Sequence, residues 1–239
     1  MSWRTSLKGA LGPRWTTTLR CLARGKPIPV WGNLRRAAPF STEFGFDRGL
    51  PVDRYYLHRF LDEHRDLVRG DVLEIQSSDY THRYGAALGR TDSVDILAHH
   101  RPTFVCDLAE SDAEIASDAY DCFLLPSSLS FFRDLEGALR HALRVVRPGG
   151  SVLATAACMV PLISDGPDYW RMSAAGWEET ARRVWPGCDV EVRAWGNCLA
   201  ANAALLGLAA EELSPEELDA HDPRYPVTVS LRCRKPFAR

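Results

Sequence analysis

The sequence predicts an α/β fold: a doubly wound, mostly parallel sheet of seven strands with an antiparallel C-terminal edge strand. Three observations carry this. Short apolar runs rich in Val, Ile, Leu and Cys alternate with stretches of helical period, the pattern of strands joined by crossover helices. The run 120–125, ending at Pro126, is almost continuously apolar, as expected for a central parallel strand covered on both faces. The last run, 227–233, alternates and follows another strand without a simple crossover, which makes it antiparallel.

Residues 1–45 are rich in Arg, Pro, Gly and Trp with no sustained period, and are read as a basic arm or lid before a single domain, 46–239. Within that domain, 52–68 has Tyr56, Leu57, Phe60, Leu61, His64 and Leu67 at helical spacing, ended by Gly70. Strands follow at 72–75, 92–97 and 103–108, with a helical or irregular segment at 80–88. After the fourth strand, 135–146 repeats Leu135, Ala138, Leu139, Ala142, Leu143 and Val146 as a helix, stopped by Pro148-Gly149-Gly150. A strand at 151–156, a long loop through Trp170, a helix at 174–185, a strand at 190–195 and a helix at 199–213 come next. Ser214-Pro215-Glu216-Glu217 is a helix cap with Pro at the first helical position.

The chain has 239 residues, enough to bury a substantial core. Its formal net charge of -2 hides an asymmetry, because every charged residue before Glu43 is basic: Arg4, Lys8, Arg14, Arg20, Arg24, Lys26, Arg35 and Arg36. The rest is strongly acidic, which argues against a phosphate-tracking surface for DNA or RNA. The arm lacks an apolar run long enough for a secretory segment or a membrane span, although its Arg, Ser and Thr without acids also match a mitochondrial presequence. Seven scattered cysteines (Cys21, Cys106, Cys122, Cys158, Cys188, Cys198, Cys233), none in a C-x-x-C pair, read as reduced thiols of a cytoplasmic protein without a zinc site. The expected partner is a small molecule, with no nucleic acid and no membrane; the arm is open to the roles of lid, homodimer contact or solvated tail.

Open parallel sheets bind ligands beyond the C-terminal ends of their strands. That rule selects 74–80, 95–100, 107–108, 126–132 and 156–171 as the rim of one site.

Several rim motifs resemble class I S-adenosylmethionine-dependent methyltransferases, whose sheet is Rossmann-like. They are Val72-Leu73-Glu74-Ile75 with its terminal acid, Cys106-Asp107-Leu108, Tyr120-Asp121-Cys122-Phe123-Leu124-Leu125, and Leu143-Arg144-Val145-Val146-Arg147-Pro148-Gly149-Gly150. More narrowly, Gly49-Leu50-Pro51-Val52-Asp53-Arg54-Tyr55-Tyr56, Asp168-Tyr169-Trp170-Arg171, Trp195-Gly196-Asn197 and Glu217-Leu218-Asp219-Ala220-His221-Asp222-Pro223 resemble a bacterial methyltransferase-like branch found near glycosyltransferases and in natural-product pathways. The resemblance covers roughly 48–235. It implies that Glu74 orients the methionine end of S-adenosylmethionine, Asp95 takes the ribose hydroxyls and Asp107 lies near the adenine amine, with Tyr56 a further contact from the preceding helix. Carboxylates suit these roles, since each accepts hydrogen bonds from an ammonium, a diol or an amine.

The chain departs from the family pattern acid-x-Gly-x-Gly-x-Gly. Glu74 is the acid, but the glycine positions hold Gln76, Ser78 and Tyr80. The narrower branch usually keeps the first glycine, and a side chain at Gln76 stands where a cofactor approaches the backbone. Two functions therefore stay open: methyl transfer to an oxygen or nitrogen of a small natural product or sugar, such as an antibiotic precursor, or the same fold with a closed or repurposed cofactor site doing cyclisation, elimination or binding alone.

Acceptor chemistry needs a positioned nucleophile and often a base. The groups expected to supply it are His82, His99, His100, Asp165, Asp168, Tyr169, Trp170 and Arg171. Asp168-Tyr169-Trp170-Arg171 suits a polar ring, and equally a structural cluster in which Arg171 pairs with Asp168. Adjacent His99 and His100 on an extended segment would point oppositely, which disfavours a metal pair.

Overall fold

The computed structural model describes residues 13–111, 113–163 and 166–237. The chain divides into two units, Met1–Ala38 and Pro39–Arg239. The first contains helix α1, Pro13–Ala23, and a single 3-10 turn, Gly32–Leu34, among its described residues. Sequence reading had found no element there, because Gly, Pro and Trp interrupt any longer period. No helix among the described residues is long and apolar enough to cross a membrane.

The second unit runs α2 (Val52–Glu63), β1 (Gly70–Ile75), α3 (Asp79–Tyr84), β2 (Leu88–Asp95), β3 (Phe104–Val105), β4 (Tyr120–Leu125), α4 (Leu135–Val145), β5 (Val146–Ala157), α5 (Ala174–Val184), β6 (Asp189–Trp195), α6 (Cys198–Leu205), α7 (Pro215–Asp219) and β7 (Thr228–Arg234). Its seven strands form one sheet in the order β3-β2-β1-β4-β5-β7-β6. The pairs β1–β2, β1–β4, β2–β3 and β4–β5 are parallel, whereas β7 is antiparallel to both β5 and β6. The fold class is therefore the mostly parallel doubly wound sheet that the sequence predicts. The C-terminal strand β7 inserts one place inside the edge, which β6 occupies.

Alternation along β4 shows why a central strand reads as continuously apolar. Phe123 and Leu125 face one core with Leu73, Val152, Leu139 and Trp177, while Cys122 and Leu124 face another with Val72, Tyr56, Phe60 and Leu153. Helix α4 is closed at both ends. The Asp134 carboxylate accepts from the Gly137 amide at 2.8 Å, and Lys235 Nζ donates to the carbonyls of Leu143 (3.0 Å) and Val146 (2.7 Å) beyond its last turn.

Several expected boundaries move, among them the second strand (88–95 rather than 92–97) and the first helix of the domain, which ends at Glu63; three others have a clear physical cause. Helix α4 ends at Val145 because Val146 already pairs with Tyr120, so Pro148-Gly149-Gly150 stops nothing and instead forms an irregularity inside β5. Gly149, at φ +86°, supplies the left-handed residue of that bulge. The helix expected over 199–213 breaks after Leu205, where Gly207 turns left-handed (φ +69°) and packs so closely on the Ser41 carbonyl that a Cβ would collide with it. Strand β3 keeps only Phe104 and Val105, since Asp107 leaves the sheet to cap the 3-10 turn Leu108–Glu110.

Strand order reverses between β1 and β4. In open α/β sheets the crevice at that switch point, outside the carboxyl ends of the strands, is where ligands bind.

Candidate functional site at the ends of β1 and β4

The turn after β1 holds a left-handed residue, a conformation that favours glycine, without a glycine. Gln76 sits at φ +69°, its side chain exposed, and its amide continues the ladder to β2 by donating to the Val94 carbonyl at 2.8 Å. Glu74 lies beneath this turn with no exposed surface. Its Oε1 accepts from the Tyr80 amide (3.2 Å), and its Oε2 accepts from the amide and hydroxyl of Thr81 (both 2.7 Å). The carboxyl thus ties the end of β1 to the first turn of α3, whose N-cap residue Ser78 makes no side-chain cap. Burial pushes Glu74 up to about 7, against the bonds from Thr81 and Tyr80, which favour the ionised form.

Two further carboxylates stand at neighbouring strand ends. Asp95, the last residue of β2, accepts from the Leu97 amide at 2.9 Å through Oδ1 and pairs with His100 Nδ1 at 2.5 Å through Oδ2. Asp107, exposed beyond β3, accepts from the Ala109 amide at 2.9 Å. Residues 98–100 form a 3-10 turn, not the extended segment assumed from sequence. The rings of His99 and His100 consequently lie beside each other, centroids 4.0 Å apart.

A bridge that sequence reading missed spans the switch point. Arg54, in the first turn of α2, donates from Nη1 to Asp53 Oδ2 (2.7 Å) and to Ser127 Oγ (2.6 Å), just past β4. Ser127 is left-handed (φ +49°) and its amide donates to Thr155 Oγ1 of β5 at 2.7 Å. The bridge's only local signal is the Asp53-Arg54 pair beside Tyr55 and Tyr56. Tyr56 is buried with its hydroxyl donating to the Leu218 carbonyl (2.8 Å), and Tyr55 donates to Asp219 Oδ1 (2.7 Å), so both turn toward α7. Burial raises the Tyr56 phenol far above its ordinary range.

The loop after β5 is held by the residues expected to act on substrate. Arg171 forms a two-point pair with Asp168, Nε to Oδ1 at 3.0 Å and Nη2 to Oδ2, and also donates to the carbonyls of Cys158 (3.2 Å), Val160 (3.3 Å) and Pro161 (3.2 Å). The Tyr169 amide donates to the Ser130 carbonyl (2.8 Å), and Trp170 Nε1 donates to the Phe132 carbonyl (2.7 Å). His82 is exposed on α3, with Nδ1 3.2 Å from the Ser78 carbonyl. Asp165 lies outside the described residues. The structure thus gathers Glu74, Gln76, Ser78, Asp95 and Asp107 along adjacent strand ends, and sets Tyr56 apart.

Residues 60–154 match the family model described as a methyltransferase domain. A solved S-adenosylmethionine-dependent methyltransferase from Mesorhizobium loti superposes with a TM-score of 0.51 at 15% identity, over 77% of this chain and 100% of that one. A second such methyltransferase, from Archaeoglobus fulgidus, gives 0.51 at 13% identity over 76% and 94% of the two chains. Residues 60–154 thus carry a methyltransferase-domain match, and the fold is the one these solved methyltransferases share. The fold is also shared by a protein described as the [4+2]-cyclase SpnF, with a TM-score of 0.51 at 17% identity over 93% of each chain. No curated protein matches the chain.

The groups whose chemistry suits an ammonium, a diol and an amine are the carboxylates at the ends of β1, β2 and β3. The arrangement offers hydrogen-bond positioning more than a nucleophile–base pair, His100–Asp95 being the exception.

Proposed function

We propose that the protein is a cytoplasmic S-adenosylmethionine-dependent methyltransferase acting on an oxygen or nitrogen of a small natural product or sugar, in a biosynthetic pathway such as that of an antibiotic. One observation carries the reading: Gln76, at the first glycine position of the family pattern, has a left-handed backbone, φ +69°, and is exposed. A left-handed backbone at this position supports a path open to a cofactor despite the loss of the glycine. The donor set fits as well. Glu74 shapes the turn from below, Asp107 is exposed, and Asp95 becomes available to a ribose diol when His100, on an exposed turn, gives up its bond.

The bound cofactor supplies an electrophilic methyl group. What this chain's residues contribute is orientation of the two reactants: the turn at Gln76 on one side, and the Pro126–Phe132 and Asp168–Arg171 loops, clasped to each other through Tyr169 and Trp170, on the acceptor side.

A second reading keeps the fold for non-methylating chemistry, such as cyclisation or elimination. It is favoured by the full engagement of Glu74 and Asp95 within the protein, and the fold itself accommodates a cyclase. Calorimetry of the purified full chain with S-adenosylmethionine and S-adenosylhomocysteine separates the two. The first reading expects both to bind. Binding of neither at millimolar concentration would sink it, and binding of the first without consumption of its methyl group in the presence of acceptors would favour the second.

A further inference from the structure

Arg54 uses only half of its guanidinium. Both Nη1 hydrogens are spoken for, by Asp53 Oδ2 at 2.7 Å and Ser127 Oγ at 2.6 Å, and these two bonds fix the plane of the group. Nothing among the described residues accepts from Nε or Nη2. The edge left over is the one that pairs side-on with a carboxylate through two parallel hydrogen bonds. The side chain is half-buried, 26% exposed, and its three remaining donors have no protein partner among the described residues.

Its position gives this edge a meaning. Arg54 spans from the first turn of α2 to Ser127, two residues past β4, across the point where strand order reverses. The loop that carries Ser127 holds two more hydroxyls, those of Ser128 and Ser130, buried and without a partner among the described residues. Other guanidinium groups around the sheet are committed elsewhere. Arg171 is consumed by Asp168 and three carbonyls, and Arg147 bridges Asp71 and Asp121 near the opposite ends of β1 and β4.

We propose that the Nε–Nη2 edge of Arg54 anchors a ligand carboxylate in the site at the ends of β1 and β4, with Asp53 and Ser127 as positioning residues that hold the guanidinium plane. The inference rests on the site assignment made above. The carboxylate has two sources: the amino-acid end of the methyl donor, or an acid group on the acceptor.

The test is a proton–nitrogen spectrum of the full chain with isotope-labelled arginine side chains, the Arg54 Nε signal being identified by its loss in Arg54→Lys. Acetate is titrated first. A saturable shift of the Arg54 signal, larger than that of Arg224, whose side chain is 78% exposed, is the expected result. A shift no larger than that of Arg224 overturns the proposal. S-adenosylhomocysteine is then added. If it moves the Arg54 signal and blocks the acetate response, the carboxylate belongs to the methyl donor. If it binds and leaves the acetate response intact, the carboxylate belongs to the acceptor. Should it cause no change anywhere while acetate still moves Arg54, the methyl-donor reading fails and the anchor stands. Unchanged signals elsewhere in the Arg54→Lys spectrum establish that the variant is folded.

Discussion

Gln76 and Glu74 stand two residues apart and carry opposite burdens. A side chain at a left-handed backbone position costs about 1–2 kcal/mol, and Gln76 bears that at φ +69° without a compensating contact to its exposed side chain. Gln76→Gly relieves the strain but loosens the unfolded chain by about 0.4–1 kcal/mol. The expected net gain is about 1 kcal/mol, or roughly 2–4 °C in Tm by scanning calorimetry. A lowered Tm would mean that the amide side chain holds something the geometry does not reveal. Glu74 behaves in the other sense. Its folded-state carboxyl is raised from 4.5 to about 7 by burial, so between those values the folded protein retains a proton that the unfolded chain has lost. Stability should therefore fall as pH rises through this window, by up to about 3 kcal/mol, and level off above it. Asp189 and Asp222, both depressed by arginine partners, affect stability only in more acid solution, while His58, lowered from 6.5 by burial, opposes the Glu74 trend below that value. Urea unfolding at about pH 5 and about pH 8 measures the difference; Glu74→Gln should flatten it while lowering stability at both, because the amide cannot accept from all three Tyr80 and Thr81 donors.

At the level of elements, the loop after β5 is a clasp. Arg171 satisfies Asp168, whose side chain is only 3% exposed, and three carbonyls between Cys158 and Pro161. Removing one partner of a sequestered pair typically costs about 3–5 kcal/mol. Arg171→Ala should therefore lose stability on about that scale, read as a lower urea midpoint. A variant as stable as the parent but devoid of activity would return Arg171 to the catalytic role expected from sequence. What was legible here follows from the range of the forces involved. Strand β4 was readable residue for residue because burial on both faces leaves a continuous apolar run, and the α7 cap because Ser214 and Glu217 form a local reciprocal pair. The end of α4 was misplaced because pairing of Val146 with Tyr120, a contact across the sheet, overrode the local Pro-Gly-Gly signal. The Arg54–Ser127 bridge joins residues 73 apart in sequence and left no periodic trace.

For the whole molecule, the sequence showed the sheet and the row of acids at its rim, while the order of the strands decides which side chains meet. Placing β1 beside β4 brings the Gln76 turn, Arg54 and Ser127 to one crevice, and it leaves Tyr56 pointing toward α7. Seating β7 between β5 and β6 lets Trp195 of the edge strand reach Ser230 of its neighbour at 2.7 Å, closing that end of the sheet away from the site. The fold alone does not distinguish a methyltransferase from a cyclase. The distinction rests on whether a turn without glycines still admits the cofactor. Calorimetric titration of S-adenosylhomocysteine into the parent chain and Gln76→Gly addresses this directly. Binding to both, with the glycine variant equal or tighter, is the predicted result; no binding to either at millimolar concentration would contradict it.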